Sequence, residues 1–332
     1  MDKFSFNRKS IVLFVGLALL LALPPLTIAM DEAYFISLFS RILIYALAAV
    51  SLDLILGYAG MASLGHGAFL GVGAYAVGIL AFHVTEETAI PFLPGEWAGS
   101  IHALISWGSA IIVSGLFSLV IGALSLRTSG VYFIMITLAF AQMLFFFFVS
   151  LTTYGGEDGI NLDQRSQFPG LDLADDASFY YVCLALLLAF VYICYRIVNS
   201  RFGMVMRGCK QNETRMRALG YSTYRYKLIC FVIAGAGAGL AGALIANQSE
   251  FVGPGLMHWT RSGEVMIMVI LGGMGTIFGP IFGAVALLLM EEVLAAYTEH
   301  WMIILGPVLI FVVLFARRGI YGFLAGDGGR DG

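Results

Sequence analysis

The chain has 332 residues, of which 60% are hydrophobic and only 12% are charged, about half the charged fraction of an ordinary soluble domain. So few charged side chains cannot cover a soluble globule, whereas several apolar segments of about 20 residues are long enough to cross ~30 Å of hydrocarbon. The net charge of −3 says nothing about nucleic acid, and no nucleic-acid partner is predicted because no stretch outside the membrane combines a basic face with stacking aromatic residues. The composition predicts an all-α polytopic membrane protein embedded in a lipid bilayer.

Uninterrupted apolar stretches predict about ten transmembrane helices. The predicted spans are residues 11–30, 35–56, 61–82, 101–126, 131–151, 178–198, 228–247, 263–271, 277–296 and 301–316. The eighth is too short to cross a bilayer as a helix, so it is predicted to be a broken or re-entrant segment and the count lies between eight and ten. The first has features of a cleaved signal peptide, but no Ala-x-Ala-like site follows it, which favours a retained helix.

The charge distribution predicts the orientation of these spans. If they alternate from a cytoplasmic N-terminus, every lysine and arginine except Arg41, Arg165 and Arg261 lies on the cytoplasmic side, and acidic residues collect in the outer loops. The positive-inside rule therefore places both termini in the cytoplasm. Arg41 and Asp53 lie within the second span, too far apart to pair on one helix turn. Each is expected to form an ion pair with another helix, because a charge that faces lipid is costly.

Two glycine-rich stretches predict interrupted helices. The first covers residues 57–78 and places polar side chains at membrane depth, and the second covers residues 271–280. Irregular backbone at this depth is tolerated only inside protein or beside a water-filled cavity. Interrupted segments at corresponding places in two halves, here about 35–151 and 228–316, suggest an internal repeat with a transport site between its halves.

Ser63 and His66 are the polar residues of the first interrupted stretch. A polar or ionisable side chain inside a span is a functional candidate. The alternative is structural, since Ser63 can bond back to its own helix and His66 can fill a contact between helices. For His66 both interpretations stay open, and for Ser63 the structural one is favoured.

The connection formed by residues 199–227 is too long for a simple turn between helices. Val205, Cys209, Met216 and Leu219 recur at near-helical spacing, basic residues cover the remaining surface, and Gly220 supplies a helix end. The pattern predicts a short amphipathic helix parallel to the membrane. It is either an anchor on anionic lipid or a docking site for a cytoplasmic partner.

Motifs for catalysis are missing from the sequence. There is no phosphate-binding Gly-x-x-x-x-Gly-Lys-Ser/Thr loop and no His-Glu-x-x-His, and the four cysteines lack metal-ligand or disulfide spacing. No catalytic, metal or cofactor site is therefore predicted in this chain, and any transport must be driven by a gradient or by another subunit. The alternatives are an ion-coupled secondary transporter, a channel and an intramembrane enzyme. The secondary transporter is poorly supported because the spans contain few charges that could bind a coupling ion. The channel is unsupported because no ring of charges is visible, and the enzyme because His66 lacks a catalytic partner.

The run SLGHGAFLGVGAY at residues 63–75 closely resembles an early motif of branched-chain amino acid ABC permeases of the LivM type. Further stretches fit the same family in the same order. They are GGEDGI (155–160), ALGY and RYKL (218–228), AGLAGA (238–243) and LGGMGTIFGP (271–280). The resemblance extends from about residue 35 to residue 325.

This resemblance implies that residues 1–332 form a single permease domain of an ATP-driven importer in the bacterial inner membrane. It implies a second related permease, two cytoplasmic ATPases that bind ATP and Mg, and a periplasmic solute-binding protein as partners. The implied solute is a branched-chain amino acid or a related small polar solute, because relatives also serve urea, short amides and aromatic acids.

The resemblance also implies roles for particular residues. The segment that couples to the ATPase lies within residues 199–227 and comprises Asn212, Glu213, Arg215, Met216, Arg217, Leu219 and Gly220. The family often has smaller or acidic residues where this chain has Arg215 and Arg217. The translocation pathway is predicted to be lined by Ser63, His66 and Phe69, with Gly272, Gly273 and Gly275 opposite.

Overall fold

A computed structural model describes residues 8–29, 32–90, 99–298, 300, 303–304, 306–307, 310 and 319–325. Its helices are α1 (Arg8–Ala29), α2 (Ala33–Asp53), α3 (His66–Thr85), α4 (Ala103–Ser125), α5 (Val131–Ser150), α6 (Asp176–Val198), α7 (Arg201–Gln211), α8 (Glu213–Ala218), α9 (Thr223–Ser249), α10 (Trp259–Gly272), α11 (Gly279–Tyr297) and α12 (Gly319–Ala325). A π-helical turn, Leu54–Tyr58, extends α2, and 3-10 turns form at Thr152–Tyr154 and Pro254–Met257. Two short strands, β1 (Ile160–Asn161) and β2 (Phe251–Val252), pair in antiparallel fashion.

Seven of the described helices are long and apolar enough to cross a membrane: α2 with its π-helical turn, α3, α4, α5, α6, α9 and α11. The prediction of an all-α polytopic membrane protein is thereby confirmed, whereas the count of ten stays a prediction. The first predicted span coincides with α1. The eighth coincides with α10, whose 14 residues reach only about 21 Å. Most of the tenth, residues 301–316, lies outside the described residues.

Two prolines inside α1 are compensated by tyrosines of α6. Pro24 and Pro25 have no N–H, so the carbonyls of Leu20 and Leu21 lose their usual helical donors. The Tyr180 hydroxyl donates to the Leu20 carbonyl at 2.8 Å and the Tyr181 hydroxyl to the Leu21 carbonyl at 3.2 Å. Because lipid offers no replacement donor, these bonds fasten α1 to α6.

The centre of the protein is the packing of α3 against α9, flanked by α2 and α4. Gly242 of α9 lies so close to α3 that a Cβ there would be 1.8 Å from the Leu70 carbonyl oxygen, and one at Gly73 would be 2.1 Å from that of Gly239. Small residues allow this approach where lipid supplies no hydrophobic driving force. The glycines of α3 therefore serve helix packing. The prediction that residues 57–78 are interrupted holds only for residues 59–65, and the third span begins at His66 instead of residue 61.

Contacts between residues far apart in the sequence identify the two ends of the helix bundle. At one end, Tyr224 of α9 donates to the carbonyl of Ala123 near the end of α4. At the other, Thr85 at the end of α3 donates to Asp163, and Arg165 pairs with Asp176 and Glu250. These contacts join helix ends that an alternating path through a bilayer brings to the same side. We call them the coupling end and the strand end, after the segment 199–227 and the β1–β2 pair.

Candidate functional site

An irregular segment, residues 59–65, precedes α3 and packs inside the helix bundle. Ser63 is buried, and its hydroxyl oxygen accepts a hydrogen bond from the Gly65 N–H at 3.2 Å, so it bonds locally as the structural interpretation expects. His66 is also buried and lies 2.8 Å from the Ser51 hydroxyl of α2. The Phe69 ring packs edge-on against His66 and Phe231. His66 and Phe69 therefore contact each other inside this subunit, and the pathway role of Ser63, His66 and Phe69 stays a prediction.

A second irregular segment, residues 250–258, enters from the strand end and was not predicted. It contains β2 and the 3-10 turn, and Met257 is fully buried against the backbone of Gly71 in α3. The Ser262 hydroxyl oxygen then accepts a hydrogen bond from the Gly67 N–H at 2.8 Å. The starts of α3 and α10 thus meet inside the bundle. The run of Gly253, Pro254 and Gly255 is the sequence signal that marks this interruption.

A third interruption, between α10 and α11, contains the glycines predicted to face Ser63, His66 and Phe69. Gly273 and Gly275 have positive φ values of 121° and 81°, which glycine adopts readily. A Cβ on Gly57 would lie 2.5 Å from the Gly275 nitrogen. A Cβ on Gly272 would lie 1.9 Å from the Gly279 carbonyl oxygen, and one on Gly319 would lie 2.4 Å from the Gly273 Cα. The glycines therefore pack against the end of α2 and the start of α12, at the coupling end.

Asp53 holds this glycine break in place. Its carboxylate is buried and accepts a hydrogen bond from the Gly275 N–H at 2.8 Å. The Lys210 ammonium of α7 donates to the nearby Gly57 carbonyl. The expectation of an ion pair for Asp53 is therefore wrong, since its described partner is a backbone amide. The expectation for Arg41 is confirmed, because Arg41 of α2 pairs with Glu291 of α11 at 3.9 Å.

The segment 199–227 forms two helices instead of the single amphipathic helix predicted. Ser200 caps α7 and Asn212 caps α8, where the Asn212 side chain accepts from the Arg215 N–H at 2.9 Å. A side-chain cap favours a new helix start, so Asn212 divides the segment. Val205 and Cys209 are buried as the spacing predicts, whereas Leu219 is 66% exposed. Gly220 ends α8 with φ of 88°, which confirms its predicted role.

Glu213 fastens α8 to the start of α9. Its carboxylate accepts hydrogen bonds from Lys227, Arg217 and Thr223. Partial burial favours the neutral acid, but the hydrogen bonds from Lys227 and Arg217 outweigh it and hold the pKa of Glu213 below its ordinary value. This network gives Glu213 and Arg217 a structural role within the chain, and their role in coupling to the ATPase stays a prediction. The network also forms one wall of a cavity of about 400 Å³ that Gly60 and Met61 of the irregular segment line from the other side.

The remaining residues of the predicted coupling segment present their surface outward. Asn212, Arg215, Leu219 and Gly220 are exposed and Met216 is half-buried, with its sulfur against Gly208 of α7. The segment thus has two sides. The inner side is hydrogen-bonded to α9, and the outer side carries Arg215, whose guanidinium has no described partner. Its docking role stays a prediction.

The described residues contain no group of three or more His, Cys, Asp or Glu side chains placed to hold a metal ion. The four cysteines, Cys183, Cys194, Cys209 and Cys230, are free and buried. Burial raises the pKa of the Cys209 thiol in α7, which disfavours the reactive thiolate.

A polytopic helix bundle with irregular segments packed inside it and an exposed basic segment at one end is the architecture expected of a membrane permease. The sequence profile of the family described as "branched-chain amino acid transport system / permease component" matches residues 34–313. The chain belongs to this family, and it is a transport subunit, not an enzyme.

Curated relatives agree with this assignment. The high-affinity branched-chain amino acid transport system permease protein LivM of Salmonella typhimurium is 27% identical over 304 residues, covering 84% of this chain and 68% of LivM. The permease protein LivH of the same organism is 24% identical, covering 84% of this chain and 91% of LivH. The probable branched-chain amino acid transport permease protein LivM of Methanocaldococcus jannaschii is 26% identical, covering 84% and 89%. No solved structure matches the chain.

Proposed function

We propose that this chain forms half of the membrane pathway of an ATP-driven importer for branched-chain amino acids or a related small polar solute. A second, related permease forms the other half, two ATPases supply the energy, and a periplasmic protein delivers the solute. The similarity of the chain to both LivM and LivH of one organism supports a paired permease. ATP and Mg belong to the ATPases, since this sequence has no phosphate-binding loop.

The topology belongs to the same proposal. The coupling end faces the cytoplasm of a bacterium and the strand end faces the periplasm, with ten spans and both termini in the cytoplasm. The basic residues of 199–227 support this orientation. The internal repeat of 35–151 and 228–316 is part of the proposal too, supported by the interruptions that precede both α3 and α10.

The observation that carries the proposal is the two-sided coupling segment. Its inner side is bonded to α9 through Glu213 and Lys227, while α7 is bonded to the end of α2 through Lys210. Asp53, one turn before Gly57, holds the glycine break of α10 and α11. A movement imposed on the outer side by an ATPase would therefore reach α9, α2 and the glycine break together, which couples ATP binding to alternating access.

Charge reversal on the outer side tests this docking role. The double substitution R215E/L219E should reduce the ATPase recovered with the affinity-purified chain at least about tenfold, equivalent to ~1.4 kcal/mol of binding free energy. Neither side chain supports the fold, since both are exposed and the Arg215 guanidinium has no described partner. Arg201, exposed at the start of α7, supplies the matched control R201E, which should leave recovery unchanged. Wild-type recovery of the ATPases with R215E/L219E would contradict the docking role.

A further inference from the structure

The cavity beside the Glu213 network carries basic side chains on two of its walls. It has a volume of about 400 Å³, within the range of small-molecule sites. Residues 126–130, which connect α4 to α5, form one wall and include Arg127. Glu213 and Arg217 of α8 form another wall together with Lys227 of α9. We call this space the coupling-end cavity.

Positive charge is in excess in the coupling-end cavity. Arg127, Arg217 and Lys227 line it with Glu213 as the single carboxylate. The Glu213 carboxylate already accepts hydrogen bonds from Arg217 and Lys227, and the Arg127 guanidinium has no described partner. A guanidinium has five N–H donors and an ammonium group has three, so each of the three cations keeps donors for a ligand. The cavity therefore favours an anion.

The start of α5 adds uncharged donors to the same space. Gly130, which precedes α5, and Phe133 in its first turn both line the cavity. The first N–H groups of a helix lack intrahelical acceptors and carry a partial positive charge. Ser129 lines the cavity too, and it is exposed. A phosphate group, with several acceptor oxygens and a negative charge, suits this combination of basic side chains, a hydroxyl and a helix start.

The position of the cavity favours a phosphate that belongs to a lipid. Both α4 and α5 are long and apolar enough to cross a membrane. The loop 126–130 joins their ends, so it lies at the headgroup depth of a bilayer that they cross. Leu124 before the loop and Val131 and Tyr132 after it are large hydrophobic side chains that are exposed. They offer a surface to acyl chains beside a basic pocket, which is the arrangement that binds anionic headgroups between membrane helices.

We propose that the coupling-end cavity binds the phosphate of an anionic phospholipid, between Arg127 on one wall and Arg217 and Lys227 on the other. The bound phosphate joins the α4–α5 loop to α8 and α9. It thereby reinforces the hydrogen bond from Tyr224 of α9 to the Ala123 carbonyl of α4 and holds the coupling segment against the helix bundle. This site depends on neither the solute nor the energy source, so it stands or falls separately from the proposed function.

Lipid retention by the purified chain tests this site. The full chain in detergent is mixed with equal concentrations of dioleoylphosphatidylglycerol and dioleoylphosphatidylcholine, and native mass spectrometry counts the molecules of each that stay bound. The wild type should retain phosphatidylglycerol about tenfold better, because only this lipid carries net negative charge. R127Q should reduce that retention about tenfold, since it removes a charge-assisted hydrogen bond. Arg196, exposed in the last turn of α6, supplies the matched control R196Q, which should bind phosphatidylglycerol like the wild type.

An introduced cysteine locates the lipid and separates it from dissolved phosphate. S129C places a thiol in the cavity wall, S222C places one at an exposed position of the coupling end, and the four native cysteines are buried. In phosphatidylcholine nanodiscs, added phosphatidylglycerol that occupies the cavity to ~90% should slow labelling of S129C by an uncharged maleimide about tenfold. Labelling of S222C should not change. Inorganic phosphate without phosphatidylglycerol should leave S129C labelling unchanged.

Several results would overturn the site. Equal retention of the two lipids, or unchanged retention by R127Q, would remove the anionic lipid from the cavity. Equal slowing of S129C and S222C would indicate a general effect of surface charge. Protection of S129C by inorganic phosphate alone would assign the cavity to a soluble anion. Unchanged lipid retention by R127Q together with loss of copurified ATPase would assign it to an acidic surface of that partner.

Discussion

Replacing Gly242 with alanine is expected to destabilise the helix bundle strongly. The new Cβ would lie 1.8 Å from the Leu70 carbonyl oxygen and 3.0 Å from the Ala74 nitrogen, both in the backbone of α3. An unstrained C···O contact needs about 3.3 Å, so α3 and α9 must move apart by ~1.5 Å. Overpacking of this kind costs about 3 kcal/mol or more.

The loss is measured as the temperature at which the detergent-solubilised chain ceases to elute as a single species in size-exclusion chromatography. Gly108 supplies the matched control, because it also lies within a long helix, α4, and a Cβ there meets nothing within 4 Å. G108A should elute and melt like the wild type. Equal stability of G242A and G108A would contradict the close packing of α3 on α9.

Replacing Asp53 with leucine is expected to abolish transport while replacing it with asparagine is not. Leucine leaves the Gly275 N–H without its acceptor, at a cost of about 1–3 kcal/mol, and releases the glycine break from α2. Asparagine keeps a side-chain oxygen that can accept this hydrogen bond. The measurement is solute uptake by vesicles, normalised to the amount of assembled protein.

The asparagine variant decides between two roles of Asp53. If D53N is as inactive as D53L while both assemble normally, the negative charge of Asp53 and not its hydrogen bond to Gly275 is what transport requires. That outcome would contradict the positioning role described for this residue. Wild-type uptake by D53L would remove Asp53 from the transmission of movement altogether.

Local signals in the sequence were sufficient for much of the fold. Long apolar runs predict the membrane helices, because their length must match the hydrocarbon thickness. Gly220 marks the end of α8 since its φ of 88° suits glycine. The ion pair of Arg41 was expected because an intramembrane charge needs a partner, although the sequence could not say which carboxylate supplies it.

Other features depend on partners that sequence spacing does not reveal. Asp53 and Gly275 are 222 positions apart, and a backbone amide leaves no sequence signature, so an ion pair was the natural but wrong expectation. Residues 250–258 fall between the seventh and eighth predicted spans, on the outer side of the predicted topology. Only the packing of Met257 on Gly71 places them inside the bundle. The division at Asn212 could have been recognised, because asparagine is a strong helix cap.

Sequence spacing also does not reveal the partners of the residues in the candidate site. Glu213 is predicted to belong to the segment that couples to the ATPase, and its hydrogen bonds to Lys227 and Arg217 also join two parts of this chain. A carboxylate among basic residues is typical both of an interface and of an internal network, and spacing alone does not separate them. Exposure shows that Arg215 and Leu219 face outward and belong to no described internal network, whereas Arg217 is exposed and hydrogen-bonded to Glu213 as well.

We propose that ATP hydrolysis by another subunit drives transport through this chain. The most direct measurement is uptake of labelled leucine by vesicles that contain the chain purified with its native partners, the solute-binding protein and internal ATP. An ATP-driven importer is expected to give uptake that requires ATP and persists when ion gradients are collapsed with ionophores. Uptake without ATP that ionophores abolish would contradict it and identify a gradient-driven carrier instead.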